Sequence, residues 1–281
     1  MEQSAPRQRG RWWLLVPAAV LVLVGGLTYT ALRPAAEPVA EQGDVSLRSA
    51  RIVGGTTAAS ESHPWAVYLV GRAGNQYCGG TLVTPVKVLT AAHCVNNRTP
   101  AEIRVVAGRT DTQNRAQGSV LAVNAVWWHP RFKDVFNGDD VGVLTLAEPV
   151  RYATIPLVQP GEPGYAVGTK ATVVGWGATR EAGPTSRYLM EATVPVLPDG
   201  SCARPYRTYD PAKMFCAGYE EGGIDACQGD SGGPLVAGGR LIGITSWGEG
   251  CAQKGKPGVY TKVVNYLAEI RAQLGGTRSG R

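Results

Sequence analysis

The apolar positions of this chain fall into two regimes. Between Trp12 and Val24 they run almost unbroken, behind a basic stretch that holds Arg7, Arg9 and Arg11. From Ile52 onward they come as short runs separated by glycine and proline. Examples are Trp65-Ala66-Val67-Tyr68-Leu69-Val70, Lys87-Val88-Leu89-Thr90, Ile103-Arg104-Val105-Val106 and Val141-Gly142-Val143-Leu144-Thr145-Leu146. The second half continues with runs at 171–174, 192–196, 241–245 and 258–261. Many short runs with turn residues between them predict an all-β sandwich or barrel. The 37 glycines suit the bulges and tight corners of such a sheet. The period changes at the end, where Val264, Leu267, Ile270 and Leu274 recur at three- and four-residue steps before Gly275-Gly276. That spacing predicts one C-terminal helix, with residues 275–281 as a flexible tail.

The first regime reads as a targeting segment. Residues 1–32 fit a signal peptide, and Trp12 to Leu32 is also long enough to be an uncleaved signal anchor. Residues 33–51, with Arg33-Pro34-Ala35-Ala36-Glu37-Pro38, read as a propeptide or linker. Either reading exports the body, and a membrane becomes a partner only through the anchor. Six cysteines follow the leader, an even number that reads as three disulfides in an exported chain, with 15 pairings open on arithmetic alone. A zinc site is disfavoured because no Cys-x-x-Cys pair exists and the three histidines are scattered. The formal net charge of +6 includes no Lys/Arg block with interleaved aromatics, which argues against nucleic-acid binding.

The densest chemistry lies in Asp225-Ala226-Cys227-Gln228-Gly229-Asp230-Ser231-Gly232-Gly233-Pro234. A serine is a poor nucleophile unless a base lies within hydrogen-bond reach and a third group orients that base. His63 and His129 each precede a proline, a context of turns and strand starts. His93 lies in Leu89-Thr90-Ala91-Ala92-His93-Cys94, where a β run meets small residues and a cysteine able to pin the loop.

Taken together, Thr90-Ala91-Ala92-His93-Cys94 and Gly229-Asp230-Ser231-Gly232-Gly233-Pro234 resemble the trypsin/chymotrypsin family of serine endopeptidases. Arg51-Ile52-Val53-Gly54-Gly55 resembles that family's activation junction. Ser246-Trp247-Gly248 followed by Gly258-Val259-Tyr260 gives a fourth match in family order. The resemblance implies a protease domain over 52–274, built of two packed six-stranded antiparallel Greek-key barrels. These would cover roughly 52–155 and 156–262, with the active site between them and the C-terminal helix after them.

It also implies roles. Ser231 is the nucleophile and His93 its base. Asp140, directly before the apolar Val-Gly-Val-Leu run, aligns as the triad acid, which leaves Asp139 as a neighbour in a solvated loop. The N–H groups of Gly229 and Ser231 form the oxyanion hole. Asp225 is the floor of the specificity pocket, and Ser246, Trp247, Gly248 and Gly258 complete the substrate site. An acid below glycine walls implies cleavage after Arg or Lys. Cutting after Arg51 would free the Ile52 amine to pair with Asp230, and that bond is itself of the type the mature enzyme would cut. The implied disulfides are Cys78–Cys94, Cys202–Cys216 and Cys227–Cys251.

The loop from Gly108 to Gln117 departs from digestive trypsins in lacking their calcium-binding glutamates, so no metal and no cofactor is expected. Asn97-Arg98-Thr99 fits an N-glycosylation sequon. The expected partners are protein or peptide substrates and protein protease inhibitors, with a monomer as the default state. Two other classes compete. A binding protein on the same scaffold would lack a triad member, and all three are present. An esterase would carry its Gly-x-Ser-x-Gly on a strand-to-helix turn of a parallel sheet, with its base after the serine rather than before it.

Overall fold

Alternating residues of a strand face opposite ways, so a strand whose residues are all apolar needs a core on both sides. The strand Ala66–Val70 is such a case, buried along its whole length. Val67 and Leu69 join one core with Leu82, Leu89, Val105 and Leu144, while Ala66, Tyr68 and Val70 pack with Val174, Trp176 and Leu189 of the second half. This strand fills the first barrel with one face and meets the second half with the other.

The computed structural model describes residues 52–275. The expected signal or anchor, the propeptide, Arg51 and the tail beyond Gly275 lie outside the described residues. A short β1 (Thr56–Thr57) is followed by β2 (Ala66–Val70), β3 (Gln76–Thr84), β4 (Lys87–Thr90), β5 (Arg104–Ala107), β6 (Ser119–Trp128) and β7 (Gly142–Leu146). Strands β2-β3-β4-β7-β6-β5 close into an antiparallel barrel. The second half contributes β8 (Lys170–Gly175), β9 (Met190–Pro195), β10 (Met214–Ala217), β11 (Pro234–Ala237), β12 (Arg240–Trp247) and β13 (Gly258–Lys262).

This second sheet has seven strands in the order β1-β9-β8-β11-β12-β13-β10, where the sequence predicts six. The extra strand is β1, which pairs with β9 through Thr56 and Glu191. The other six curl until Val196, just beyond β9, bridges to Ala217 at the end of β10. The segment that follows residue 51 thus belongs to the second sheet, although it precedes the first barrel in sequence.

Among the described residues the α-helices are three and short, α1 (Ala92–Val95), α2 (Asp199–Ala203) and α3 (Leu267–Leu274). The terminal helix is present, with Leu267 and Ile270 buried against the body. Among the described residues no helix is long and apolar enough to cross a membrane. The two halves meet backbone to backbone. The N–H of Gly79 in β3 donates to the carbonyl of Ser231 at 2.7 Å, and a Cβ on Gly79 would lie 2.9 Å from Cα of Gly233. Only a residue without a side chain allows that approach.

Candidate active site

His93 is carried on α1, a single turn directly after β4, and the adjacent Cys94 is bonded to Cys78 in β3. That disulfide fixes the turn against the first barrel. Cys94 Sγ lies 3.6 Å from His93 Nε2 and 3.5 Å from the carbonyl oxygen of Ser231, so it sits between these two residues. Cys78, Cys94 and His93 cluster as metal ligands would, but both sulfurs are held in the disulfide and offer no thiolate.

Asp140 immediately precedes β7 and is fully buried. Its carboxylate accepts three hydrogen bonds, from the His93 N–H at 2.9 Å, from His93 Nδ1 at 2.8 Å and from Ser246 Oγ at 2.6 Å. Its carbonyl accepts from Thr261 Oγ1 at 3.0 Å. The bond to Nδ1 leaves Nε2 as the ring nitrogen available to a nucleophile. No hydrogen bond joins Ser231 Oγ to Nε2 among the described residues. Such bonds are commonly long in substrate-free sites and tighten on binding. The hydroxyl of Ser246 is committed to Asp140, a contact that the sequence does not reveal.

Asp139 corrects the expectation of a solvated loop residue. It is 3% exposed, in a left-handed conformation with φ of 56°. Its carboxylate meets Lys213 Nζ at 3.0 Å and Arg131 Nη2 at 3.2 Å, and its N–H donates to the Tyr266 hydroxyl at 3.2 Å. Burial alone would raise the pKa of this carboxyl. Lys213 and Arg131 together outweigh burial and hold it below the usual carboxylate range. Asp139 thereby anchors the segment before Asp140 to the second half of the molecule. His129 is also buried, its ring edge-on to Tyr266, and burial pushes its pKa down.

Around Ser231 the backbone amides divide into used and unused. Those of Asp230, Gly232 and Gly233 donate to Cys227, Thr245 and Asp230, whereas those of Gly229 and Ser231 have no acceptor among the described residues. Two unpaired N–H groups flanking one residue are the donors an oxyanion requires. Gly229 has φ of 97°, and a Cβ there would lie 3.0 Å from Thr185 Cγ2 and 3.2 Å from Gly177 Cα. Between them, the Asp230 side chain turns inward and is fully buried, accepting from Gly177 N–H at 2.7 Å and Cys227 N–H at 3.0 Å. Burial raises its pKa to about 6, against the pull of those two amides. A Cβ on Gly175 or Gly177 would fall within 2.3 Å of this carboxylate. The Gly175-Trp176-Gly177 triplet is the sequence feature that makes room for that carboxylate.

Beside Ser231 opens a cavity of about 160 Å³ lined by Asp225, Ser246, Trp247, Gly248 and Gly258. Asp225 is 5% exposed and accepts from the Ala226 N–H at 2.8 Å, but no Lys or Arg pairs with it among the described residues. Burial raises its pKa to about 7, partly opposed by the Ala226 N–H and reinforced by the charge of Asp230. A Cβ on Gly258 would stand 2.6 Å from Asp225 Oδ1, whereas one on Gly248 meets nothing nearer than 3.9 Å. The Cys227–Cys251 disulfide joins two segments of the cavity wall, and Cys202–Cys216 ties α2 to β10. Trp247 packs edge-on against Phe136 and Tyr206, at centroid distances of 5.2 and 4.7 Å.

Residues 52–270 match the family model described as Trypsin. The chain is 51% identical over 223 residues to a trypsin of Saccharopolyspora erythraea, covering 79% of this chain and 98% of that protein. It is 40% identical over 231 residues to a trypsin of Sus scrofa, covering 80% and 96%. A cationic trypsin-3 of Rattus norvegicus is 40% identical over 226 residues, covering 79% of this chain and 88% of its own.

Proposed function

Because the chain belongs to the trypsin family of serine endopeptidases, we propose that it cuts proteins on the carboxyl side of arginine and lysine. In this reading it is exported as a zymogen and activated by cleavage after Arg51. Ser231 Oγ attacks the scissile carbonyl while His93 Nε2 takes its proton, and the same nitrogen returns the proton to the leaving amine. Asp140 keeps the ring oriented and stabilises the imidazolium. The carbonyl oxygen, as it gains charge, is received by the Gly229 and Ser231 N–H groups, each donor worth about 2.7–4 kcal/mol in the transition state. Water then releases the acyl group by the same steps.

The observation that carries the specificity is Asp225. An ionised carboxylate in a buried cavity is costly unless a cation neutralises it, and no side chain of the described protein does so. An arginine or lysine of the substrate supplies that cation. The same reasoning supports the activation step. Among the described residues Asp230 is buried with amide donors but no cation. Ile52 is fully buried, and the Val53 carbonyl accepts the Asp225 N–H at 3.2 Å. The chain start released by the cut would lie beside the pocket that it is proposed to order. Three disulfides suit an oxidising, extracellular compartment.

The test is hydrolysis of matched Arg, Lys and Phe peptide amides by the protein cut after Arg51, with Asp225→Ser alongside. Arg and Lys turnover that collapses in the variant is expected. Preferred turnover of Phe, or Arg turnover indifferent to the substitution, would refute the pocket reading.

A further inference from the structure

On the far side of Gly229 from the Asp225 cavity lies a second concavity. Gln76 Nε2 donates to the Gly229 carbonyl at 3.3 Å, and Thr185 packs against the same glycine. Both residues line a groove of about 540 Å³ whose charged lining is Arg72, Arg109 and Arg115, with no acidic side chain.

These cations are poorly neutralised. Arg72 reaches Glu102 only at 3.9 Å, with Arg72 largely in solvent and Glu102 partly so, a pairing worth little. Arg115 has no ion pair among the described residues. Arg109 is 6% exposed, and its bonds go to neutral oxygens, from Nε to the Gln117 carbonyl at 2.7 Å and from Nη1 to the Tyr68 hydroxyl at 3.4 Å. The nearby Asp111 is held bidentately by Arg187, at 2.9 and 2.7 Å. A buried guanidinium without a carboxylate, beside two further arginines, calls for an anion.

Direction follows from the catalytic geometry. The residue before the cut occupies the Asp225 cavity, and the leaving amine is protonated at His93. The chain beyond the cut therefore departs past the Cys78–Cys94 disulfide toward the start of β3, where Gln76 stands. We propose that this groove is a leaving-group-side subsite that selects substrates with acidic side chains beyond the cut. At ~3.3 Å per extended residue, the second and third residues after the bond reach it. The proposal rests on the endopeptidase reading above and adds a second electrostatic filter to it, of opposite sign to the first.

The experiment uses quenched-fluorescence peptides with arginine before the cut and Glu, Gln or Lys at the second and third positions after it. A small arginine amide is run beside them. With the enzyme cut after Arg51, kcat/KM is expected to fall from Glu to Gln to Lys, by about tenfold at each step at low ionic strength. The steps shrink as salt shortens the screening length to ~3 Å at 1 M. In the double variant Arg72→Glu/Arg115→Glu the order reverses, and because the readout is a ratio it does not depend on the active fraction. Equal rates for Glu and Gln peptides at low salt, or an acidic preference that survives the charge reversal, overturn the proposal. If the arginine amide fails while another residue before the cut is accepted, the pocket reading is at fault. The groove then stands or falls on the same ratio measured with that residue.

Discussion

Replacing Gly258 by alanine sets a methyl group inside the cavity beside Ser231, 2.6 Å from Asp225 Oδ1 and 3.2 Å from Tyr260 Cε2. Non-bonded atoms settle near 3.5–4.0 Å, so the carboxylate must retreat by ~1 Å. The backbone itself tolerates the change, since Gly258 is not among the positive-φ glycines. A misplacement of ~1 Å at a substrate-positioning group costs on the order of 10²-fold in rate, about 2.7 kcal/mol. Gly248→Ala is the control, because its methyl meets nothing nearer than 3.9 Å and leaves Asp225 where it is. Both variants are cut after Arg51 and their active sites counted by the burst of a small acylating ester that does not reach the cavity floor. Steady-state hydrolysis of an arginine amide is then compared. The expectation is a loss of about 100-fold for Gly258→Ala, a smaller loss for Gly248→Ala and undiminished bursts for both. Gly258→Ala within threefold of the parent, or equal losses at the two sites, would show that the position of Asp225 does not govern arginine cleavage.

Three further outcomes follow from the site. Ser246→Ala removes the 2.6 Å bond to Asp140 but leaves both His93 bonds, so kcat is expected to fall about tenfold with KM for a small amide unchanged; an unaltered kcat would mean the bond is idle. Asp139→Asn strands Lys213 and Arg131 and should cost ~1–3 kcal/mol of stability at pH 7. Because the Asp139 pKa is held low, that stability is present above the ordinary aspartate range and lost as pH falls through the lowered value. The melting-temperature difference between parent and variant should therefore be largest at pH 7 and shrink as pH falls below the ordinary aspartate range. Finally, the Asp225 pKa is raised to about 7, so a guanidinium inhibitor should weaken about tenfold per pH unit below 7, as the carboxylate it needs becomes protonated. Calorimetric titration showing a flat affinity from pH 5 to 8 would contradict this.

What could be read from the sequence was what period and short motifs encode. The runs at 65–70, 87–90 and 141–146 became β2, β4 and β7, and the three- and four-residue spacing after Val264 became α3. Strand β3 escaped detection because Gly79-Gly80 sits in its middle, and glycine in a strand reads as an interruption. Its reason is tertiary, the close approach to Gly233, which no local pattern announces. The bond from Ser246 to Asp140 spans 106 residues, and the salt bridges of Asp139 reach Lys213, 74 positions along the chain. Asp139 and Asp140 look alike in sequence. Register before the apolar run picks Asp140 as the partner of His93, but only the fold shows that Asp139 is buried against two cations. Arg109 carried a faint signal as a cation in the loop read for missing glutamates, but its burial beside a groove did not show in the loop itself.

The glycine contact across the two halves of the molecule has a further consequence. A cleft bounded by separately mobile lobes can open to admit a partner and close around it. Here the backbone of β3 is hydrogen-bonded to that of Ser231 itself, through the Gly79 N–H. Any opening between the halves at this point would break that hydrogen bond. That bond opposes such an opening at the site and leaves conformational adaptation to the other party. A polypeptide must bring its own extended, exposed segment to the cleft, and a folded protein without such a segment is protected until part of it comes loose. An effective protein inhibitor would be one whose loop already holds that extended shape before it arrives.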